Sequence, residues 1–245
     1  MERAMDSLFN RTMPSQRRAS PIDRGFDAGL RNHMIGIYRN MALGLALTGL
    51  VAFGVASTPA LYEPIFGTPL KWVAIFAPLA FVLLLSFGLH QMSAAMAQTA
   101  YFVFAGVMGI SMASIFLMFT GESIALAFFT AAAVFAAMSL WGYTTGADLS
   151  RWAPILMVGL LAVVAASIVT LFLGSSTLQM LFSIAGIVVF TGLTAWDTQR
   201  LRNEYYAYAG QEEAGKLAIV GALSLYLNLI NLFQLLLTFM GQRRG

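Results

Sequence analysis

Asp197, in the stretch FTGLTAWDTQRLR, is the only Asp or Glu in any part of this chain oily enough to cross a bilayer. A carboxylate in hydrocarbon costs about 2.5–3.5 kcal/mol at the middle of a span and less toward the interface. Such an acid is kept either as a boundary ion pair or as a group that binds a proton or a cation. Arg200, three residues on, stands where a helix would let it pair with Asp197. Asp197 comes near the end of its apolar run, so both readings stand on the residues alone.

The second group with chemical potential lies in the last apolar run, ALSLYLNLINLFQLLLTFM. Ser224, Asn228, Asn231, Gln234 and Thr238 follow one another at intervals of 4, 3, 3 and 4 residues. At 100° per residue they make one stripe along a helix. A polar group turned to lipid lacks a partner, so the stripe is expected to face the inside of a bundle. There it acts as glue between helices or lines a hydrated path. His90, in GLHQMS, titrates in a useful range and is a candidate latch, although a lone histidine at a helix end more often only snorkels. Glu63 and Glu122 fall in short outer loops and are expected to face solvent, where either could draw cations toward a mouth. Asp148, followed by Ser150 and an apolar run, reads as a helix cap.

The elements that must position these groups are membrane helices. Of 245 residues, 59% are hydrophobic and 10% are charged, a balance unsuited to a water-solvated globule. Seven runs reach the roughly 20 residues a bilayer requires: 38–57, 70–89, 99–119, 124–144, 153–174, 178–198 and 217–240. Runs this long without alternation exclude barrel strands. The expected fold is an all-α membrane protein, with a basic, disordered cytosolic tail over residues 1–25 and a transmembrane domain over 26–245. The first run is read as a retained span rather than a signal peptide. In FDAGLRNHMIGIYRN, Phe26, Leu30, Met34 and Ile37 fall on one side, suggesting an interfacial lead-in. The short links TGES and LGSST make consecutive helices antiparallel neighbours, and no internal repeat is found.

Orientation follows from Lys and Arg. With the amino terminus in the cytosol, eleven of the 14 fall inside and three outside, which favours that arrangement. The net charge of +3 then reflects topology rather than binding to nucleic acid. Cysteine is absent, which excludes disulfides and thiolate metal sites. The two histidines, His33 and His90, make no metal cluster and supply no base within a span, and no lysine follows Lys216 for a Schiff base. An enzyme is therefore not expected, and no cofactor.

Taken in order, FDAGLRNHMIGIYRNMALGLALTGLVAF, LHQMS, FTGESIALAFF, GYTTGADLS, LFLGSS, GLTAWDTQRLR and ALSLYLNLINLFQLLLTFMG resemble the bacterial branch of the Bax inhibitor-1 family, across residues 26–241. The resemblance implies seven spans with the last one central. It also implies a calcium leak of the inner membrane, controlled by pH through two aspartates on the sixth and seventh helices. The first of these positions falls on Asp197 and the second on Asn228. An amide has nearly the shape of a carboxylic acid but loses no proton, so the two-acid coupling is broken here. Asp197 is expected to bond Asn228, directly or through water, with a pH response lying lower than that of a two-acid relative.

The expected function is thus passive conduction of Ca²⁺ or another cation past Asp197, which would ligate it weakly and transiently. A basic latch on the second helix, known in some relatives, can be matched only to His90. The alternative is a non-conducting regulator of other membrane proteins, such as a quality-control protease, working through the tail and cytosolic loops. One tension remains on the sequence alone. Asp197 ends its run, whereas Asn228 lies twelve residues past Lys216, roughly 18 Å along a helix, so the two meet only if the last helix starts before the membrane or tilts strongly.

Overall fold

The computed structural model describes residues 21–88, 92–173, 176–208 and 214–244. Within them the chain forms α1 (Pro21–Ala56), α2 (Pro59–Phe66), α3 (Leu70–Gly88), α4 (Ala94–Met118), α5 (Gly121–Thr144), α6 (Ala153–Leu173), α7 (Ser176–Tyr208) and α8 (Ala214–Met240). A 3₁₀ turn, Leu149–Trp152, leads into α6. Apolar sequence in lipid must bond its own backbone, and helices do this within one segment.

Among the described residues, six helical stretches are long and apolar enough to cross a membrane: Ala28–Ala56, Ala94–Met118, Gly121–Thr144, Leu149–Thr170, Thr177–Ala207 and Gly215–Met240. The pair α2 and α3, bent by 87° at their junction, brings the number to seven if it is read as one span. That bend sits where Gly67 closes α2 and Pro69 follows. The residue before a proline is driven out of the α region, so one helix cannot run through. The apolar run expected at 70–89 is α3.

Several boundaries have visible causes. Thr120 caps α5 by accepting from the Ser123 N–H at 3.3 Å, and Ser93 does the same for Met96 at the start of α4. Asp148 accepts from the Ser150 N–H at 3.0 Å, the cap its position suggested. Glu63 and Glu122 are exposed.

Two expectations need correction. Residues 21–25 belong to α1, not to a tail, while residues 1–20 lie outside the described residues. The stripe read as an interfacial lead-in is instead core: Leu30, Met34 and Ile37 are buried, Ile37 completely. The physical reason is that α1 runs unbroken for 36 residues and α7 for 33, both longer than their apolar stretches. Their ends stay packed together: Gly29 of α1 lies against Tyr205 of α7 while His33 packs on the same ring.

α8 packs against α7, α5, α1 and, less extensively, α4. In its most apolar stretch 67% of the residues are buried, against 11–39% in the other five. Close approach depends on small residues. Gly142 of α5 lies against the backbone of Ala195 in α7, where any Cβ would overlap the Ala195 carbonyl. Hydroxyls tie the remaining helices. Thr48 of α1 donates to the Ala105 carbonyl of α4 at 2.8 Å and bonds the Tyr226 hydroxyl of α8 at 2.6 Å. Tyr101 donates to the Asn40 carbonyl at 3.1 Å.

The far end of the bundle is also fastened. After α8 the chain folds back on the α4–α5 loop: Arg243 pairs with Phe119 as an antiparallel bridge, the Arg244 N–H bonds the Met118 carbonyl at 2.9 Å, and the Gln242 N–H bonds the Ser123 hydroxyl at 2.9 Å.

Gly142→Val is expected to cost about 1–3 kcal/mol through overpacking, measured as a lowered thermal unfolding midpoint in detergent micelles. Gly106→Ala, whose added carbon meets open space, is expected to leave that midpoint unchanged.

Candidate functional site

The site is built on one stretch of α7, WDTQRLR, whose polar side chains reach α8, α5 and the loop before α6. The Asp197 carboxylate is buried, with its side chain 8% exposed. Its Oδ1 accepts from Arg200 Nη2 at 2.8 Å, and its Oδ2 accepts from Asn228 Nδ2 of α8 at 2.7 Å. Both lengths suit charge-assisted hydrogen bonds. One partner comes from the same helix, three residues along, and the other from across the interface. The carboxylate therefore bridges α7 and α8.

Arg200 is the hinge of the local electrostatics. Its Nη2 also reaches Ser224 Oγ of α8 at 3.3 Å, and its guanidinium lies over the Trp196 ring with Cζ 5.0 Å from the centroid. Its Nε stands 3.7 Å from Glu204 Oε1, an ion pair but too long for a hydrogen bond, so this buried nitrogen has no hydrogen-bond partner. Arg200 thus sits between two acids, bonded to one and facing the other.

The opposite flank of the same stretch is held by neutral groups. Thr198 bonds Ser139 of α5 at 3.0 Å, and Ser139 in turn bonds the Tyr38 hydroxyl of α1. Gln199 is buried and clamps the loop ahead of the 3₁₀ turn: its Oε1 accepts from the Leu149 N–H at 2.8 Å and its Nε2 donates to the Ala147 carbonyl at 2.7 Å. Arg202 donates to the Tyr143 carbonyl. These bonds fix the rotation of α7 and so the direction of Asp197.

The tension between chain positions is resolved by helix length. α7 continues eleven residues past Asp197 to Tyr208, about 16 Å. α8 starts at Ala214, fourteen residues before Asn228, about 21 Å. α7 thus runs ten residues past its apolar run, and Asp197 and Asn228 stand level, within hydrogen-bond distance.

The stripe on α8 divides. Ser224 and Asn228 reach across to α7. Asn231 donates back to the Leu227 carbonyl at 2.8 Å and Thr238 to the Gln234 carbonyl at 2.8 Å, both within α8. These two, with Gln234, are only partly buried, so the glue expected of the whole stripe comes from its first two members. His90, offered as a latch, lies outside the described residues. Among the described residues no three His, Cys, Asp or Glu side chains gather to hold a metal.

The spacing of WDTQRLR could have suggested two contacts that went unread: Trp196 with Arg200 and Arg200 with Glu204, each four apart. Thr198, Gln199, Ser139 and Tyr38 carry no local signal, because their partners are distant in sequence.

A bundle of apolar helices joined by one buried carboxylate, an amide and a guanidinium defines an integral membrane protein with a polar centre between its last two helices. The model of a family described as "Inhibitor of apoptosis-promoting Bax1" matches residues 30–245. This chain belongs to the Bax inhibitor-1 family. It is 44% identical over 223 residues to the Rickettsia prowazekii protein RP147, covering 91% of this chain and 94% of that one. It is 40% identical to a Caulobacter vibrioides protein, covering 96% and 98%, and 39% identical to the inner membrane protein YbhL of Escherichia coli K12, covering 89% and 94%.

Replacing Asn228 by Leu leaves Asp197 Oδ2 buried without a donor, at an expected cost of about 1–3 kcal/mol. Asn231→Leu, which removes only a bond within its own helix, is expected to cost less than half as much. Unfolding of both variants in detergent, followed by circular dichroism, gives the comparison.

Proposed function

We propose that this protein is a passive, pH-modulated leak for Ca²⁺ or related cations in a bacterial inner membrane, with seven spans arranged around α8 and its amino terminus in the cytosol. The observation that carries this reading is the Asp197 bridge. A single buried acid is held closed by a tethered cation, Arg200, on one oxygen and a neutral amide, Asn228, on the other.

In this reading Arg200 occupies the place a permeating cation would take. Freeing Asp197 means moving the guanidinium toward Glu204, already 3.7 Å from Nε. The exposed carboxylate, with amide and backbone oxygens, then supplies a few of the six to eight oxygens that Ca²⁺ prefers. Such an incomplete set binds briefly, which suits passage rather than storage. The partly buried Asn231, Gln234 and Thr238 extend the polar side of α8 toward its far end.

The pH response rests on Asp197 alone. Asn228 donates its N–H to an ionised carboxylate and, turned over, accepts from a protonated one through its carbonyl oxygen. The pair thus stays bonded through the titration, and the response is weaker than in a two-acid site. No catalytic residue is proposed. The bilayer and the permeant cation are the partners this reading requires.

Purified protein in liposomes is expected to admit Ca²⁺, with Asp197→Ala changing the rate several-fold and flattening its pH dependence. Asn228→Asp restores two close acids that share a proton up to higher pH, so the pH at which flux changes should rise. Unchanged flux and pH profile in both variants would exclude a gate at Asp197. A protein that admits no cation, yet loses an effect on other membrane proteins when residues 1–25 are deleted, would instead be a regulator.

A further inference from the structure

Above Asn228, toward the far end, the bundle is open on one side. α4 and α5 are joined by only two residues, Phe119 and Thr120, yet make few contacts along their lengths. Between them and α1, with α8 as the floor, lies a cavity of about 320 Å³ open to the surroundings of the bundle. Leu45, Ala52, Phe116, Ile124, Phe128 and Phe233 are among the residues lining it. Thr48 is the one polar side chain in that lining, and its hydroxyl is already committed to Ala105 and Tyr226. Gly49 and Gly121, also in the lining, face open space. From Gly121 to Phe129 the α5 wall spans nine residues, about 12 Å.

The groove is continuous with the lipid-facing surface, since Phe128 and Phe129 are 41% and 70% exposed. At its upper end charge appears. Gly121 opens α5 directly after the loop on which the segment after α8 is fastened, and that segment carries Arg243 and Arg244, both exposed. Glu122, in the first turn of α5, is the one acidic side chain on these two segments among the described residues, against the two arginines.

The geometry points to a site for one anionic phospholipid, of the phosphatidylglycerol type, with an acyl chain in the groove and its phosphate at Arg243 and Arg244. An apolar lining with two arginines on the segment fastened beside its Gly121 end fits a molecule that is a hydrocarbon chain below and an anion above. A zwitterionic lipid would fill the groove equally well but gain little from the arginines. This site does not depend on the leak reading, since none of its residues touches Asp197.

The test uses full-length protein in phosphatidylcholine nanodiscs containing trace chain-spin-labelled phosphatidylglycerol or phosphatidylcholine, with the motionally restricted fraction read by electron spin resonance. Wild type should restrict the anionic lipid on the order of tenfold in preference to the zwitterionic one, the effect two surface arginines give. Arg243→Gln with Arg244→Gln should bring the two lipids to parity. Gly49→Leu, which fills open space and favours the helix, should release the chain of both. Should that variant lose helical circular dichroism, Gly121→Leu makes the same measurement from the opposite wall. Equal restriction in wild type, selectivity that survives loss of both arginines, full competition by soluble glycerophosphate, or a dimer abolished by Gly49→Leu would each overturn the assignment.

Discussion

A buried carboxylate with both oxygens occupied is the constraint around which the last two helices are arranged. Two apolar helices in lipid have no hydrophobic reason to choose one rotation or register over another. Asp197 supplies one. To keep a donor on each oxygen it must face Asn228 across the interface while Arg200 reaches back along its own helix, and these conditions together fix where α7 stands against α8. Removing Arg200 would leave a buried charge uncompensated, and removing Asn228 would leave a buried oxygen without a donor; either costs more than the bond itself is worth. The cluster therefore specifies position more than it adds stability.

The flanking bonds extend that specification outward. Thr198 reaches α5, and through Ser139 the chain of hydroxyls reaches Tyr38 of α1; Gln199 reaches the loop before α6. Four consecutive residues of α7, 197–200, thus bond side chains or backbone of α8, α5 and that loop. A rotation that frees Asp197 disturbs all of these, whereas a swing of the Arg200 side chain disturbs few. In a bundle so connected, motion of the Arg200 side chain is less costly than rotation of α7.

The sequence made some of this legible and hid the rest for identifiable reasons. Hydropathy shows where oil ends, not where a helix ends, so the extension of α7 to Tyr208 went unseen and Asp197 looked like a boundary residue. The same limit made Leu30, Met34 and Ile37 look like a surface stripe, when they are packed inside against neighbouring helices. The 3.6-residue period grouped Asn228 with Asn231, Gln234 and Thr238 correctly as one face. It could not show that Asn228 alone among these finds an acid, because that depends on the register of a second helix. Family resemblance supplied the pairing that periodicity could not. Arg200 beside Asp197 needed neither, since both lie on one helix three residues apart.

The bridge between Arg243 and Phe119 has a mechanical consequence for α8. A rod pinned at one end can pivot about the pin but cannot slide along its axis or spin freely. Whatever displacement α8 undergoes must then be smallest beside the α4–α5 loop and grow with distance from it, as for a lever. Asn228 lies twelve residues from the end of the helix at Met240, far enough along that lever for a slight angular change to be felt at the carboxylate.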